Sequence, residues 1–342
     1  MNELSSPVLY FRHGPRPTRF FSASAHWRAL FGKKALKIPL DAGFSCPNRD
    51  GTLAIGGCSF CDAHGSGTGL NRSMTLTAQW NYWKGRRKEK WGDTALIAYL
   101  QAFSNTHGPI EKLRRVLAEL ASLEEIDGLC LGTRPDCLDR EKLALLAQFP
   151  AQDLWLEIGL QSANAATLAR INRGHGPFCF AKTVQAAAHA GLKVLAHVMA
   201  GLPGETPEDW SATIDFVNGL PVAGVKFHNL YVARHAPLAR DYLTGRFKPP
   251  ALAQYAQWVA RSIARLRPDI VIHRLAADPA LGDLLAPSWA GDKRLMLDAI
   301  EAALIREDVR QGMYWSGKEP PAAKGLRPLE SLFTGTGVGV TA

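Results

Sequence analysis

The chain has 342 residues, of which 46% are hydrophobic and 21% are charged, a composition that excludes collagen and broad disorder. Lys and Arg outnumber Asp and Glu by 40 to 31, which gives a formal net charge of +9. No apolar run approaches the ~18 residues of a membrane span, and the N-terminal sequence lacks the order of a signal peptide. Six cysteines in so long a chain do not predict a disulfide framework. We therefore expect a cytoplasmic globular protein that does not contact a membrane.

Short apolar runs alternate with helix-length amphipathic segments along the chain. Residues 110–123 show apolar positions at helical spacing, and Pro109 and Pro207 stand where two helices would begin. Repeated strand-plus-helix units predict an α/β fold with a parallel sheet, arranged as an open sheet or as a closed or partial barrel. The predicted strands cover residues 35–40, 94–101, 128–132, 153–160, 192–199 and 224–231.

The last three predicted strands alternate between an apolar and a more polar face. A sheet that is covered by helices on both faces would not carry ionisable residues on its strands. The pattern therefore predicts apolar faces against the helices and a polar interior that holds a ligand. The alternative is a set of scattered polar residues, each paired locally. The polar residues of the predicted interior are Glu157, Gln161, His197, Lys226 and His228.

The segment that follows the first strand, residues 41–69, contains Cys46, Cys58 and Cys61. Its Gly, Pro, Asn and Asp residues make it irregular, which lets the thiolates converge without helical or strand geometry. Three thiolates on one loop bind either a zinc ion with a fourth ligand or an iron–sulfur cluster with one open iron. His64 is the candidate fourth ligand of a zinc site, so both interpretations are open on spacing alone.

Seven separated segments resemble, in the expected order, the radical SAM superfamily and within it the YhcC/YtqA-like family, which is related to the radical SAM domain of the Elongator catalytic subunit. The resemblance covers about residues 35–312. Its segments read DAGFSCPNRDGT, GGCSFC, LGTRPDCL, WLEIGLQSANAATLARINRGH, AGLPGET, VKFHNLYV and IHRLAADPALGDLLAPSW.

This resemblance implies a partial (β/α)6 radical SAM barrel with a C-terminal α/β extension. The barrel would cover residues 35–250 and the extension residues 251–312. A basic N-terminal segment, residues 1–34, would precede the barrel, and residues 313–342 would form a flexible tail.

The resemblance also implies a metal-binding site, a [4Fe–4S] cluster on Cys46, Cys58 and Cys61. The open iron of the cluster would chelate S-adenosylmethionine (SAM), and reductive cleavage would release a 5′-deoxyadenosyl radical that abstracts a substrate hydrogen. An electron donor such as flavodoxin or ferredoxin would then be a partner. The SAM contacts that the resemblance implies are Phe60 and the Leu230 backbone for the adenine, Gln161 and Arg173 for the methionine carboxylate, Gln101 in QAFSNT for the amine, and His197 and Glu157 for the ribose. Glu157 has an equal alternative as an interior structural acid.

Further polar residues stand at positions where a barrel builds its substrate site. Arg134 and Asp136 follow the third strand. They are candidates for substrate contact, and the alternative is that they form a structural ion pair with each other. The other candidates are Lys226, His228, His273 and Arg274. We expect the remaining cysteines, Cys130, Cys137 and Cys179, to be buried thiols. Methylthiotransferases resemble this class but need a second, N-terminal cysteine triad, and the absence of such a triad argues against them.

Basic residues are concentrated in two segments. Residues 12–37 and residues 84–90 flank the cysteine loop in sequence, and we expect them to rim the opening of the site. Trp80 and Trp83 lie beside the second segment and could stack a nucleobase, although core positions on a barrel helix are an equally open interpretation. Clustered positive charge with aromatics is typical of nucleic-acid binding, and also of a solvated helix face.

Three functions fit these observations. The first is a radical SAM enzyme that modifies the side chain of a tRNA wobble uridine, supported by the kinship to the Elongator-like branch and by the implication of YtqA-like relatives in maturing aminomethyl-type wobble uridines. The second is oxidation or decarboxylation of a small molecule, as in the oxygen-independent coproporphyrinogen enzyme. The third is a zinc-containing RNA-binding module without catalysis.

Overall fold

The computed structural model describes residues 18–62, 65 and 74–317. Arg12, Arg16, His64 and the tail beyond residue 317 lie outside the described residues, as do the side chains of Arg87 and Lys88. No helix in the part of the chain that the structure describes is long and apolar enough to cross a membrane.

A seven-stranded sheet forms the centre of the molecule, with its strands in the order β1-β2-β3-β4-β5-β6-β8 and every neighbouring pair parallel. All six predicted strands are present, with ends that differ by at most two residues. The strands are β1 (Ala35–Leu40), β2 (Ala95–Leu100), β3 (Gly128–Thr133), β4 (Asp153–Gln161), β5 (Lys193–Ala200), β6 (Gly224–Asn229), β7 (Val232–Ala233), β8 (Val271–Arg274) and β9 (Leu284–Ala286).

Helices connect the strands and cover one face of the sheet. The predicted helix over residues 110–123 is present, and Pro207 begins another helix as expected, with a capping box at Thr206 and Asp209. The helices are α1 (Ala23–Phe31), α2 (Leu76–Trp91), α3 (Ile110–Ala121), α4 (Arg140–Ala147), α5 (Ala165–Arg170), α6 (Pro177–His189), α7 (Pro207–Asn218), α8 (Leu238–Leu243), α9 (Leu252–Arg265) and α10 (Lys293–Arg306).

The two faces of the sheet differ as the alternation predicts. On β4, Leu156, Ile158 and Leu160 are fully buried in the main core between sheet and helices. The opposite face carries Glu157 and Gln161, which line an interior cavity. The sheet is therefore the curled half-barrel of the predicted fold class, with an apolar exterior against helices and a polar interior.

Helix α1 closes the amino-terminal end of this barrel. Trp27 is buried, and its Nε1 donates a hydrogen bond to Asp153 Oδ2 at 2.8 Å, at the start of β4. Ala23 and Trp27 pack in one cluster with Tyr99, Cys130 and Trp155 from the interior face. The interior is consequently filled by side chains at this end and open at the carboxyl ends of the strands.

The C-terminal part of the chain adds β8 as a seventh strand of the main sheet, where it pairs with β6. It also supplies β9, which pairs antiparallel with β7 beside the open end. The part beyond residue 250 is thus continuous with the barrel sheet through β8. The proposed division of the chain at residue 250 stays a prediction.

Candidate functional site

A cavity of about 1020 Å³ opens at the carboxyl ends of the strands. Because parallel strands point the same way, the segments that follow β1 to β6 all meet at this end. The structure brings all ten sequence-predicted site residues together here. The cavity is lined by Cys46, Cys58, Phe60, Cys61, Gln101, Glu157, Gln161, Arg173, His197 and Leu230.

The cysteine loop is held by its own backbone and by two neighbouring segments. The N–H groups of Arg49 and Asp50 donate to the Cys46 carbonyl at 2.8 and 3.1 Å. Ser59 N–H donates to the carbonyl of Ile171 at 2.9 Å, and the carbonyl of Ser59 accepts from Leu238 N–H at 2.8 Å. These bonds fix the loop between the segment after α5 and the start of α8. The three cysteines of the loop therefore lie at fixed positions on the cavity wall.

The Cys58 thiol is buried and receives two N–H donors. Asn48 Nδ2 and Arg173 Nη1 each lie 3.6 Å from Cys58 Sγ. Hydrogen bonds to ligand sulfurs are a means by which proteins tune iron–sulfur clusters, so this donor set suits a thiolate ligand. Within residues 18–62, 65 and 74–317, no three His, Cys, Asp or Glu side chains are grouped to hold a metal ion.

Asn48 is a site residue that the sequence analysis missed. Its Nδ2 also donates to the backbone carbonyl of Asn172 at 2.6 Å, which joins the cysteine loop to the segment that carries Arg173. Gly174, in the left-handed region at φ +76°, makes this possible, because a Cβ there would lie 2.4 Å from Asn48 Oδ1. The signal in the sequence was the Asn two residues after Cys46 in an otherwise ordinary turn.

Arg173 and Gln161 meet at the end of β4. Arg173 Nη2 donates to the Gly159 carbonyl at 2.7 Å, while its Nε and Gln161 Oε1 are buried without a hydrogen-bond partner among the described residues. Gln161 has a φ of +75° and follows a register shift between Gly159 and its own position. A donor and an acceptor left open side by side can bind a polar group of a ligand.

Gly159 is a second residue that the sequence analysis missed. A Cβ at this position would lie 2.4 Å from Arg173 Nη2 and 2.8 Å from Gln161 Nε2. Glycine therefore leaves the space in which the two side chains converge. A single glycine inside an apolar strand was the available signal.

Glu157 is the centre of a buried polar cluster on the cavity floor. Its Oε1 accepts from Lys37 Nζ at 2.5 Å, and its Oε2 accepts from Lys226 Nζ at 2.8 Å and lies 2.9 Å from His197 Nε2. Lys226 Nζ also donates to the Tyr99 hydroxyl at 2.8 Å. Both carboxylate oxygens are occupied by protein donors, which favours the structural alternative for Glu157 over a ribose contact.

Burial and charge set the protonation states in this cluster. Burial alone would raise the pKa of Glu157, but the charges of Lys226 and Lys37 hold it well below its usual range. Burial, with the charge of Lys226 beside it, lowers the pKa of His197 to about 4. Burial lowers the pKa of Lys226 to about 8. At neutral pH, His197 is uncharged and donates through Nε2 to Glu157, which leaves its Nδ1 as an acceptor.

Lys37 ends the basic segment of residues 12–37 that we expected to rim the opening, and for this residue the expectation is wrong. Its side chain enters the barrel interior, where it meets Glu157. Alternation along β1 gives the reason, since Ile38 and Leu40 occupy the face that packs against the helices.

The QAFSNT segment lies between β2 and α3, and Gln101 and Phe103 of this segment line the cavity. Asn105 Nδ2 holds it in place by donating to the carbonyls of Leu100, Ala102 and Gly132 at 3.2, 3.1 and 2.8 Å. The Leu230 N–H donates to the Ala200 carbonyl at 3.0 Å, so only the carbonyl of its backbone is left for a ligand.

The substrate candidates divide into two groups. Lys226, His228 and Arg274 line the cavity. Arg134 also lines it, but donates to both carboxylate oxygens of Asp136 at 2.9 and 2.6 Å as the structural pair foreseen. His273 lies instead at the closed end, with its ring centroid 5.3 Å from that of Trp27 and 4.4 Å from that of Trp155. Cys130 and Cys137 are buried, and Cys179 is half-buried.

The described residues of the two basic segments do not rim the cavity, which corrects the expectation drawn from their places in the sequence. Lys33 and Lys34 directly precede β1, and α2 ends just before β2, so both segments lie at the amino-terminal edge of the sheet. Lys33 Nζ is 2.8 Å from Asp93, and Lys34 Nζ is 3.5 Å from the ring centroid of Trp91. The cysteine loop begins at the opposite end of β1, roughly 20 Å away at ~3.3 Å per strand residue.

The two tryptophans of α2 belong to the core rather than to a stacking surface. Trp80 is fully buried, with Nε1 donating to the Glu124 carbonyl at 3.1 Å. Trp83 is partly buried and packs against the same core. The core alternative weighed for this pair is therefore the one observed.

Comparison with known proteins gives a consistent assignment. The family model of the Radical SAM superfamily matches residues 46–217, and that of the Radical_SAM C-terminal domain matches residues 222–306. The chain is 35% identical over 315 residues to the Bacillus subtilis protein YtqA, an uncharacterized protein, covering 92% of this chain and 98% of that one. It is also 35% identical over 267 residues to Escherichia coli protein YhcC, covering 77% and 85% of the two chains.

Among solved structures, the archaeal Methanocaldococcus infernus Elp3 with an N-terminal deletion resembles the chain with a TM-score of 0.60 at 16% identity. The likeness covers 81% of this chain and 64% of that one. At this identity it supports the fold alone.

Proposed function

The chain belongs to the radical SAM superfamily, whose members are enzymes that use a [4Fe–4S] cluster and SAM, and we propose that Cys46, Cys58 and Cys61 hold that cluster. The observation that carries the proposal is that the three cysteines line one cavity together with Arg173 and Gln161. When bound, the cluster supplies the electron that cleaves SAM to methionine and a 5′-deoxyadenosyl radical. An electron donor such as flavodoxin or ferredoxin belongs to this proposal.

The chain's own residues prepare the site for an electron-rich thiolate cluster. Asn48 and Arg173 direct N–H groups at Cys58 Sγ and offset its negative charge. Their positions are fixed through Asn172 and Gly159, whose carbonyls accept further hydrogen bonds from the same two side chains. The cluster therefore fits the donors that the loop and its neighbours provide.

SAM carries a carboxylate, an ammonium group, two ribose hydroxyls and an adenine, and the cavity offers a partner for each. Arg173 Nε and Gln161 Oε1, both buried and unpaired among the described residues, suit the methionine end. Phe60 packs in one apolar cluster with Leu230, which suits a flat adenine. His197 Nδ1 accepts from a ribose hydroxyl while Glu157 holds the ring through Nε2.

The closed end of the barrel protects a radical from solvent. Trp27 and Trp155 fill the interior below the Glu157 cluster, so in the described part of the chain buried side chains separate that cluster from the amino-terminal edge. Substrate must enter by the same opening as SAM. Lys226, His228 and Arg274 lie on the cavity wall, and Nε2 of His228 is buried there without a hydrogen-bond partner among the described residues.

For the substrate, we propose the side chain of a tRNA wobble uridine. The support is the membership in the YhcC/YtqA-like family and a partial similarity to Elongator complex protein 3 of Danio rerio, 32% identical over 155 residues. A nucleoside profile of tRNA from a strain that lacks the gene tests the proposal. We expect one modified wobble uridine to be replaced by its precursor and to return with the wild-type gene, but not with Cys58→Ala. An unchanged wobble-uridine profile would overturn the tRNA substrate in favour of a small molecule.

A further inference from the structure

We propose that residues 234–248, at the opening of the cavity, bind the phosphate backbone next to the nucleotide that enters it. This inference rests on the proposed tRNA substrate and assigns the surface that holds it. The amino-edge basic segments, which the sequence favoured for this role, lie at the wrong end of the barrel.

Among the described residues, α1 fills the amino end of the barrel with buried side chains such as Ala23 and Trp27, so a nucleotide enters from the carboxyl ends of the strands. The nine residues of β4 span roughly 30 Å at ~3.3 Å per residue. Phosphates on either side of an inserted nucleotide must therefore lie near the cavity opening. The amino-edge cations are too distant to contact them.

Residues 234–248 follow β7 and lie against the proposed SAM site. His235 lines the cavity, and Leu238 N–H donates to the Ser59 carbonyl inside the cysteine loop at 2.8 Å. Tyr242 and Phe247 pack in the same apolar cluster as Phe60. The segment is thus fixed to the wall that carries the cluster ligands, at the edge of the opening.

The segment presents an excess of exposed positive charge. It contains four basic side chains, Arg234, Arg240, Arg246 and Lys248, and one acidic side chain, Asp241. All four basic residues are exposed, and only Arg246 has an ion pair within the segment, at 2.7 Å to Asp241. Such an exposed cationic surface matches a phosphate backbone, which binds through Lys and Arg without reading sequence.

Acidic residues near the opening limit where an anion can bind. Asp62 and Asp283 line the cavity, and Asp278 lies there too but is paired with Arg274 and Lys293 at 2.7 and 2.9 Å. Phosphate binding is therefore assigned to the outer side chains Arg240 and Lys248 and not to the cavity wall. Both residues are exposed, and neither is among the residues that line the cavity.

The test compares two matched double variants of the full-length, cluster-reconstituted protein with wild type. Arg240→Gln with Lys248→Gln removes two charges from the opening, and Arg28→Gln with Lys90→Gln removes two exposed charges from the amino edge. Binding of unmodified tRNA is measured by fluorescence anisotropy over a salt series. The slope of log affinity against log salt should become shallower by about 1.4 in the first variant, at ~0.7 per single-stranded phosphate contact, and stay unchanged in the second.

Each result separates the surface from the substrate. Steep salt dependence in wild type, with the loss confined to the Arg240/Lys248 variant, supports the inference. Steep salt dependence in wild type with no loss in that variant, or an equal or larger loss in the Arg28/Lys90 variant, overturns the surface and leaves the substrate proposal standing. Absent or salt-independent tRNA binding in wild type overturns the substrate proposal, and this inference with it.

Discussion

Arg173 combines two roles in one guanidinium. Two of its nitrogens contact Cys58 Sγ and the Gly159 carbonyl, at 3.6 and 2.7 Å, while Nε has no hydrogen-bond partner among the described residues. A planar guanidinium can donate hydrogen bonds to the cysteine loop, to the end of β4 and to a carboxylate at the same time. A lysine ammonium carries its three donors on a single nitrogen and cannot reach all three groups. The geometry of this residue, more than its charge, is therefore what the site requires.

We expect Arg173→Lys to weaken SAM binding strongly although the charge is kept. Loss of a charge-assisted hydrogen bond costs on the order of 1.5–3 kcal/mol, which corresponds to roughly 10–150-fold in affinity. Isothermal titration of the reconstituted protein with SAM measures it. Arg170→Lys, an exposed arginine whose Nη1 donates to the Pro203 carbonyl, is the matched control. Equal dissociation constants for both variants and wild type would remove Arg173 from the site.

For individual residues, the sequence predicted which side chains reach the cavity better than it predicted what each of them contacts there. Cysteines, Arg173 and Gln161 were identified because their spacing matches a family pattern, and all of them reach the cavity. Gly159 and Asn48 were missed because motif spacing does not reveal their roles. Gly159 leaves space for two side chains, and Asn48 donates a hydrogen bond to a backbone carbonyl. Three partners on Glu157, from β1, β5 and β6, likewise depend on the curl of the sheet.

Among the elements, α1 shows how a helix outside the predicted barrel becomes part of it. Ser22 caps the helix through Ala25 N–H, and Trp27 reaches Asp153 at the start of β4. Asp153 also accepts from Trp155 Nε1 at 2.7 Å and from Lys193. From the sequence, this region was described only as a basic N-terminal segment. Its charge can be counted in the sequence, but the packing of α1 into the end of the barrel cannot be predicted from it.

We expect Trp27→Ala to destabilise the protein by about 3–5 kcal/mol, since it removes a buried indole and leaves a cavity at the barrel end. The measurement is the free energy of unfolding in denaturant. Trp91→Ala, at a tryptophan that is 40% exposed, should cost less than about 1 kcal/mol. Similar losses in the two variants would contradict the closure of the barrel by α1.

The start of α7 carries a titrating carboxyl, Glu205, beside the capping box. Burial, with Asp209 adding to it, raises the pKa of Glu205 to about 7, although Ser162 donates a hydrogen bond to it. Between its ordinary pKa and 7 the folded state holds a proton that the unfolded state has lost. Stability must therefore fall as pH rises through this window.

Replacement of this carboxyl should remove that pH dependence. In wild type, the free energy of unfolding should decrease by on the order of 1–3 kcal/mol between pH 5 and 8. In Glu205→Gln this decrease should be absent. Denaturant unfolding at four pH values measures it, with the exposed neighbour Glu208→Gln as control. If Glu205→Gln keeps the wild-type pH profile, the buried position of this carboxyl is not what the structure indicates.

In the whole molecule, the two ends of the barrel have different functions. The amino end is packed and carries the basic side chains of α1 and α2, and the carboxyl end holds the cavity and the cysteine loop. The six strand-and-helix units followed from alternation in the sequence, since each unit is local, whereas β7, β8 and β9 were not predicted. The end of the barrel at which each charged residue lies could not be predicted in this way. A strand of six residues, β1, is enough to place the residues before it and the residues after it at opposite edges of the sheet.

The central claim is that the cysteine loop holds a [4Fe–4S] cluster that cleaves SAM. Iron, acid-labile sulfide and 5′-deoxyadenosine formed on reduction are measured on anaerobically purified and reconstituted protein. Wild type, Cys130→Ala, Cys137→Ala and Cys179→Ala should contain iron and sulfide in equal amounts and form 5′-deoxyadenosine. Cys46→Ala, Cys58→Ala and Cys61→Ala should lose both, because three thiolates are the set that leaves one iron open. Wild-type iron content and SAM cleavage in Cys58→Ala, or a tightly held zinc in place of iron in wild type, would contradict the account.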